Sequence, residues 1–178
     1  MSLHPGAPAP AFDLPDTSGV SHRVDGGGTA DGPTVVVFTC NHCPYALAWH
    51  DRLMEVASDY AEFGVRMLAI NSNDAERYPR DSFEAMRERV AADGGWPAPY
   101  LHDATQEVAG AYGARTTPDV FVLAPDGRLA YRGAPDADHQ DPSLRAQWLR
   151  EALDAMLAGE PVERAETEPV GCSIKWRP

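Results

Sequence analysis

Two cysteines three positions apart, Cys40 and Cys43, stand where the apolar run Val35-Val36-Val37-Phe38 gives way to a helix-like segment opened by Pro44. Strand, Cys-x-x-Cys, helix is the layout of a thiol redox site, and it constrains this chain more than any other feature. A cysteine at the start of such a helix meets unpaired backbone N–H groups and the positive end of the helix dipole, which favour thiolate over thiol. Cys40 is therefore expected to be the low-pKa nucleophile. Cys43, one turn further in, is placed to attack a mixed disulfide at Cys40 and release the product. Pro44 fits the first helical turn, where the N–H it lacks would have had no partner.

Other chemistries use the same residue types. A structural zinc site commonly needs four ligands, and no second Cys-x-x-Cys or His-x-x-x-His accompanies this pair. A copper-carrying site could draw on Cys40, Cys43 and His42 or His139, because soft thiolate and imidazole suit copper. The spacing alone places His139 nowhere near the cysteines. His42 reads more economically as an electrostatic group that tunes the Cys40 thiolate and the redox poise. Exchange between sulfurs requires no cofactor and no metal, so none is expected.

Further along, Thr116-Thr117-Pro118-Asp119 precedes the apolar segment Val120-Phe121-Val122-Leu123, which leads through Ala124-Pro125-Asp126-Gly127 into Leu129 to Tyr131. A proline opening a strand, followed by a Pro-Asp-Gly turn, suggests two antiparallel strands. With the Cys-x-x-Cys, this pattern resembles the thioredoxin-like superfamily. The resemblance implies that Pro118 is a cis-proline facing the cysteines, with Thr117 offering its backbone to a substrate strand.

The opening Gly6-Ala7-Pro8-Ala9-Pro10-Ala11-Phe12-Asp13-Leu14, with Asp16-Thr17-Ser18-Gly19, is similar to the entry hairpin of the redoxin and peroxiredoxin-like branch. Cys40-Asn41-His42-Cys43-Pro44-Tyr45, Ala69 to Asp74, Pro99-Tyr100-Leu101 and the terminal Gly171-Cys172-Ser173-Ile174-Lys175-Trp176 resemble bacterial thioredoxin-like redoxin-domain proteins. Relatives often carry cysteine where this chain has Thr116, and thioredoxins proper carry Trp where it has Thr39.

The expected fold is α/β and thioredoxin-like: a central mixed sheet flanked by helices, with an N-terminal hairpin and an inserted strand-helix unit. Apolar spacing predicts helices over Pro44–Phe63, Asp81–Ala92, Gln106–Tyr112 and Leu144–Leu157, with Gly64, Gly94, Gly113 and Gly159 standing at their ends. Val65–Ile70 and the end of Trp96–Leu101 read as strands. Asp25-Gly26-Gly27-Gly28-Thr29-Ala30-Asp31-Gly32 lacks the lysine of a phosphate loop and the spacing of a dinucleotide fingerprint, so it reads as a connecting loop. Residues 1–158 form one thioredoxin-like domain in this reading, and 159–178 a tail that packs on it.

Fifteen basic residues against twenty-seven acidic give a net charge of −12. Such a surface disfavours nucleic acid and acidic membranes as partners. The expected partners are protein or small-molecule disulfides and a thiol reductant. Met1 to Gly6 shows neither the basic nor the apolar region of a signal peptide, and a three-cysteine chain without a disulfide framework suits the cytoplasm.

Cys172 has two readings, a small buried hydrophobe anchoring the tail or a third redox thiol. Three functions compete: thiol-disulfide oxidoreductase, peroxiredoxin-like thiol peroxidase, and a non-enzymatic redox-sensing or metal-carrying module. The peroxidatic pattern of the resembled branch places a threonine three residues before the reactive cysteine, where this chain has Val37. The superfamily also often keeps a buried carboxylate near the inner cysteine. Thr34 to Thr39 holds none, which leaves Asp51 and Glu55 as candidates by default.

Overall fold

The computed structural model describes residues 3–26 and 31–178, so residues 27–30 of the glycine-rich loop lie outside the described residues. β3 (Thr34–Phe38) is buried along its whole length. Its side chains alternate between two cores, as the two-residue period of a strand requires. Val35 and Val37 face one core, and Val36 and Phe38 the other.

β3 pairs in parallel with β4 (Arg66–Asn71), which pairs in parallel with β5 (Tyr100–His102). On its other side it pairs antiparallel with β7 (Asp119–Leu123), and β7 with β8 (Leu129–Gly133). The order β5-β4-β3-β7-β8 makes a five-stranded mixed sheet. β1 (Phe12–Pro15) and β2 (Ser21–Val24) form the N-terminal hairpin. Its turn is held by the Asp16 carboxylate, which accepts from the Ser18 and Val20 amides at 2.8 and 3.1 Å.

On the Val35 face lie α1 (Pro44–Ala61) and α4 (Gln147–Leu157), which bring Trp49, Leu53, Val56, Leu149 and Leu153 against the sheet. Each such side chain contributes roughly 1.5–3 kcal/mol by leaving water. Asp136, buried between the two helices, accepts from Trp49 Nε1, Arg52 and the Ala146 amide at 2.9–3.0 Å. On the opposite face α3 (Glu107–Tyr112) and the hairpin enclose Phe38, Leu68, Ile70 and Phe121. There Phe12, Phe38, Tyr112 and Phe121 meet edge to face or tilted, with ring centroids 5.4–5.8 Å apart, the geometry that aromatic quadrupoles favour.

The inserted unit is α2 (Phe83–Ala92) followed by β5. Its helix begins later than the sequence spacing implies. Ser82 is the cap, accepting from the Ala85 amide at 3.1 Å, so Asp81 belongs instead to a 3₁₀ turn, Pro79–Asp81. α4 likewise starts at Gln147 rather than Leu144, because Ala146 adopts a left-handed φ of 60°.

The segment after α4 runs back along the sheet edge, where the Thr167 amide donates to Arg132 O at 3.0 Å. It ends in β9 (Cys172–Ser173), which pairs antiparallel with the two-residue β6 (Thr116–Thr117). No helix among the described residues is long and apolar enough to cross a membrane.

Candidate active site

The C-terminal end of β3 delivers Cys40 into the turn before α1, where the Thr39 amide donates to Ile70 O at 2.8 Å. Cys43, not Cys40, is the N-cap of α1, in extended conformation, and its carbonyl accepts from the Leu47 amide at 2.9 Å. All three cysteines are free, and Cys40 and Cys43 are 1% and 0% exposed. From the facing strand β6 comes Thr117, whose hydroxyl lies 3.4 Å from Cys40 Sγ and whose carbonyl accepts from Cys43 Sγ at 3.3 Å. The Thr117–Pro118 peptide is cis, and both residues are buried. Cys40, Cys43, Thr117 and Pro118 are thus brought together from two segments more than 70 residues apart.

His42 and a residue that sequence reasoning missed form the flank beside Cys40. His42 Nδ1 lies 2.6 Å from Asp81 Oδ2, and its ring stacks on Tyr78. Asp81 is fully buried. Its carboxylate accepts from the Asn41 amide at 2.7 Å, from Asn71 Nδ2 at 3.1 Å and from Asn73 Nδ2 at 3.0 Å. Asn41 Oδ1 in turn accepts from Arg89 at 3.0 Å and from Tyr100 Oη at 2.8 Å, and Arg89 also donates to the Cys40 carbonyl at 3.1 Å. The polar shell that fixes the Cys40 turn is therefore built from the 3₁₀ turn at Asp81, α2, β4 and β5. Neither carboxylate named by default for the inner cysteine is buried. Asp51 is exposed on α1, and Glu55 pairs at the surface with Arg145 at 2.9 Å.

Ligand atoms of Cys40, His42 and Asp81 all lie within 4.8 Å of one another, the one group among the described residues with the composition of a metal site. Two tetrahedral ligands about 2.1 Å from an ion stand about 3.4 Å apart. The 2.6 Å between His42 Nδ1 and Asp81 Oδ2 is too short for two ligands of one ion, and it is a close contact rather than a hydrogen bond, since Nδ1 has no hydrogen-bond partner. His139 does not join the cysteines as a copper site would require. Its ring lies against Tyr45 and Trp49, with centroids 4.2 and 5.4 Å away.

The two thiols of the pair are pushed in opposite directions. Cys43 is held well below the ordinary thiol range because its sulfur accepts the Cys40 S–H, which outweighs burial, with further donors in Cys172, the Ala46 amide and Thr117. Cys40 is pushed up by giving its proton to Cys43, by burial, and by the negative charge of Asp81. This reverses the order expected from sequence. The N-cap position that collects helix N–H groups belongs to Cys43, and a buried acid stands beside Cys40.

Cys172 lies against Cys43, and its thiol is pushed up to about 11 by burial and then by its hydrogen bond to the Cys43 sulfur. The tail around it is fixed at several points. The Ile174 amide donates to Arg115 O at 3.1 Å, the Lys175 amide to Asn73 Oδ1 at 2.9 Å, and Gln106 Nε2 to Lys175 O at 2.9 Å.

Residues 5–132 match the AhpC/TSA family. An uncharacterized conserved protein from Geobacillus kaustophilus is 41% identical, with a TM-score of 0.92 over 99% of this chain and 94% of that one. A hypothetical protein from Sinorhizobium meliloti 1021 is 37% identical, with a TM-score of 0.90 over 99% and 97%. A putative thiol:disulfide interchange protein DsbE from Chlorobium tepidum shares the fold at 19% identity, with a TM-score of 0.68 over 88% of this chain and 99% of that one. No curated protein matches the chain. The fold is thioredoxin-like, a mixed sheet flanked by helices.

Proposed function

The chain belongs to the AhpC/TSA family, and from that premise we propose that it is a thiol-disulfide oxidoreductase working through Cys40 and Cys43. One observation carries the reading: two free, buried cysteines, Cys40 and Cys43, lie in one cluster at the N-terminus of α1, with Thr117 within 3.4 Å of both sulfurs. Two thiols so placed let either sulfur act as base for the other. Cys40 Sγ attacks a partner disulfide, its proton passes to Cys43, a Cys40–partner bond forms, and the first partner sulfur leaves as thiolate. Cys43 Sγ then attacks Cys40 Sγ, the Cys40–Cys43 bond forms, and the second partner sulfur leaves with the proton from Cys43. Two electrons pass from the dithiol to the partner.

Thr117, at the edge of the site, is the residue on which a partner strand would align. His42 and Asp81 tune the charge around Cys40. The Cys-x-x-Cys pair supports protein or small-molecule disulfides as partners and a thiol reductant as donor, and three cysteines without a disulfide framework support a reducing compartment such as the cytoplasm.

A second reading, thiol peroxidase, draws on one observation. Val37 supplies no hydroxyl, yet Thr117 presents one 3.4 Å from Cys40 Sγ, where it could orient a peroxide. Rates of insulin disulfide reduction and of hydrogen peroxide consumption, measured on one preparation with Cys40→Ser as blank, separate the two. The expected result is appreciable disulfide reduction and slow peroxide turnover. A peroxide rate constant equal to or above that for the protein disulfide, lost in the blank, overturns the oxidoreductase reading.

A further inference from the structure

The edge at which a partner strand would align is already occupied. β9 pairs antiparallel with β6, with Thr117 opposite Cys172 and Thr116 opposite Ser173. The approach is backbone to backbone, since a Cβ added at Gly171 would collide with the carbonyl of Thr117. The pairing sets Cys172 against the Cys43 sulfur, in one cluster with Cys40, Cys43 and Ala46. A cysteine on a strand lying against the reactive pair is how a bound disulfide partner would present itself, and here the chain supplies that partner.

Resting on the dithiol reading above, we propose that the C-terminal strand is a built-in substrate and that Cys172 is a third exchanging thiol whose partner is Cys43. Residues 159–178 are then part of the working site of the 1–158 domain. Starting from the Cys40–Cys43 disulfide, Cys172 Sγ loses its proton to solvent and attacks Cys43 Sγ. The Cys43–Cys172 bond forms, the Cys40–Cys43 bond breaks, and Cys40 leaves as thiolate. It regains a proton beside His42 and Asp81. No electrons are gained or lost. The oxidised bond has moved from two fully buried sulfurs to one that includes the half-buried Cys172, where an external thiol can reach it, and Cys40 is free again.

The test uses Cys40→Ser protein in a buffer of reduced and oxidised glutathione, followed by alkylation and disulfide mapping by mass spectrometry. Glutathione disulfide is the oxidant: the half-buried Cys172 takes a glutathionyl group, and Cys43 displaces it. The expected result is an intramolecular Cys43–Cys172 bond with both remaining thiols lost. Cys43→Ser protein should leave Cys40 and Cys172 unbridged. Adding Gly171→Ala to the Cys40→Ser chain should slow closure about ten-fold, because the strand is pushed off its edge.

Persistent glutathione adducts in Cys40→Ser without a Cys43–Cys172 bond would overturn the proposal, as would a Cys40–Cys172 bond in Cys43→Ser or unchanged closure with Gly171→Ala. Insulin reduction by the wild-type chain is read separately. Activity without the Cys43–Cys172 bond sinks only this inference, whereas that bond in a wild-type chain inert towards insulin leaves the exchange standing and removes the function proposed above.

Discussion

The two sulfurs of the active pair have unlike surroundings. Cys40 faces a polar shell of His42, Asp81, Asn41, Asn71 and Arg89, whose hydrogen bonds run to the 3₁₀ turn at Asp81, α2, β4 and β5. Cys43 faces donors in the helix N-terminus, the Thr117 hydroxyl and the tail thiol, with the Thr117 carbonyl as an acceptor beside them. A shell centred on a buried carboxylate resists a thiolate, and one of donors holds it. The fold thus sets apart the sulfur where charge rests from the sulfur beside which an acid and an imidazole can handle a proton.

Removing either sulfur is the harshest way to break this contrast. Cys40→Ser should lower protein-disulfide reduction by about a thousand-fold or more, since it removes the sulfur that attacks the partner disulfide. The Cys43→Ser chain should instead accumulate mixed disulfides through Cys40, detectable by mass spectrometry. Equal trapping in both variants would mean that the flanks do not differ in function.

Next comes the acid on the Cys40 flank. Asp81→Asn replaces an acceptor of three donated hydrogen bonds by an amide that can accept fewer, inside a fully buried shell. It should cost about 3 kcal/mol in urea unfolding and, by removing a negative charge, lower the pKa of Cys40 as read by thiolate absorbance. A Cys40 titration that stays put would remove Asp81 from the electrostatics of the pair.

A second buried carboxylate, Asp119, follows Pro118 on the opposite flank. Burial pushes it up to about 6, against which the Arg115 amide and Arg132 act. Its folded pKa is above its unfolded one, so the folded state binds more protons between about pH 4 and 6. This contribution is fully present below about pH 4, is lost as pH rises through 6, and is flat above. The change should be about 3 kcal/mol in the free energy of urea unfolding, and Asp119→Asn should abolish the slope.

The smallest effect belongs to the tail thiol as a structural group. Cys172→Ala should change stability by less than about 1 kcal/mol while raising the Cys43 pKa through loss of one donor. A larger loss of stability would make Cys172 chiefly an anchor.

The apolar run of β3, the Cys-x-x-Cys turn and the glycine stops made the central sheet and the main helices readable from sequence. Local periodicity and turn chemistry decide those elements. Asp81 was not readable, because its role depends on a 3₁₀ turn bringing it against a loop 40 residues away; in sequence it looked like an acid opening a helix. β6 and β9 are two residues each, too short for any period, and their pairing carries Cys172 to the site. The Thr117 hydroxyl beside Cys40 is likewise a product of tertiary contact, with no local signature.

The cost of gathering the site from distant segments falls on folding. Its closing contacts join residues 74, 77 and 102 positions apart in the chain, and loops of that length form late and slowly compared with local helices. Until β9 docks, the thiols stand open to each other and to neighbouring chains. Refolding in air should therefore yield scrambled and intermolecular disulfides that refolding under a reductant avoids, since the strand that brings Cys172 to the pair is also the cover that keeps stray thiols out.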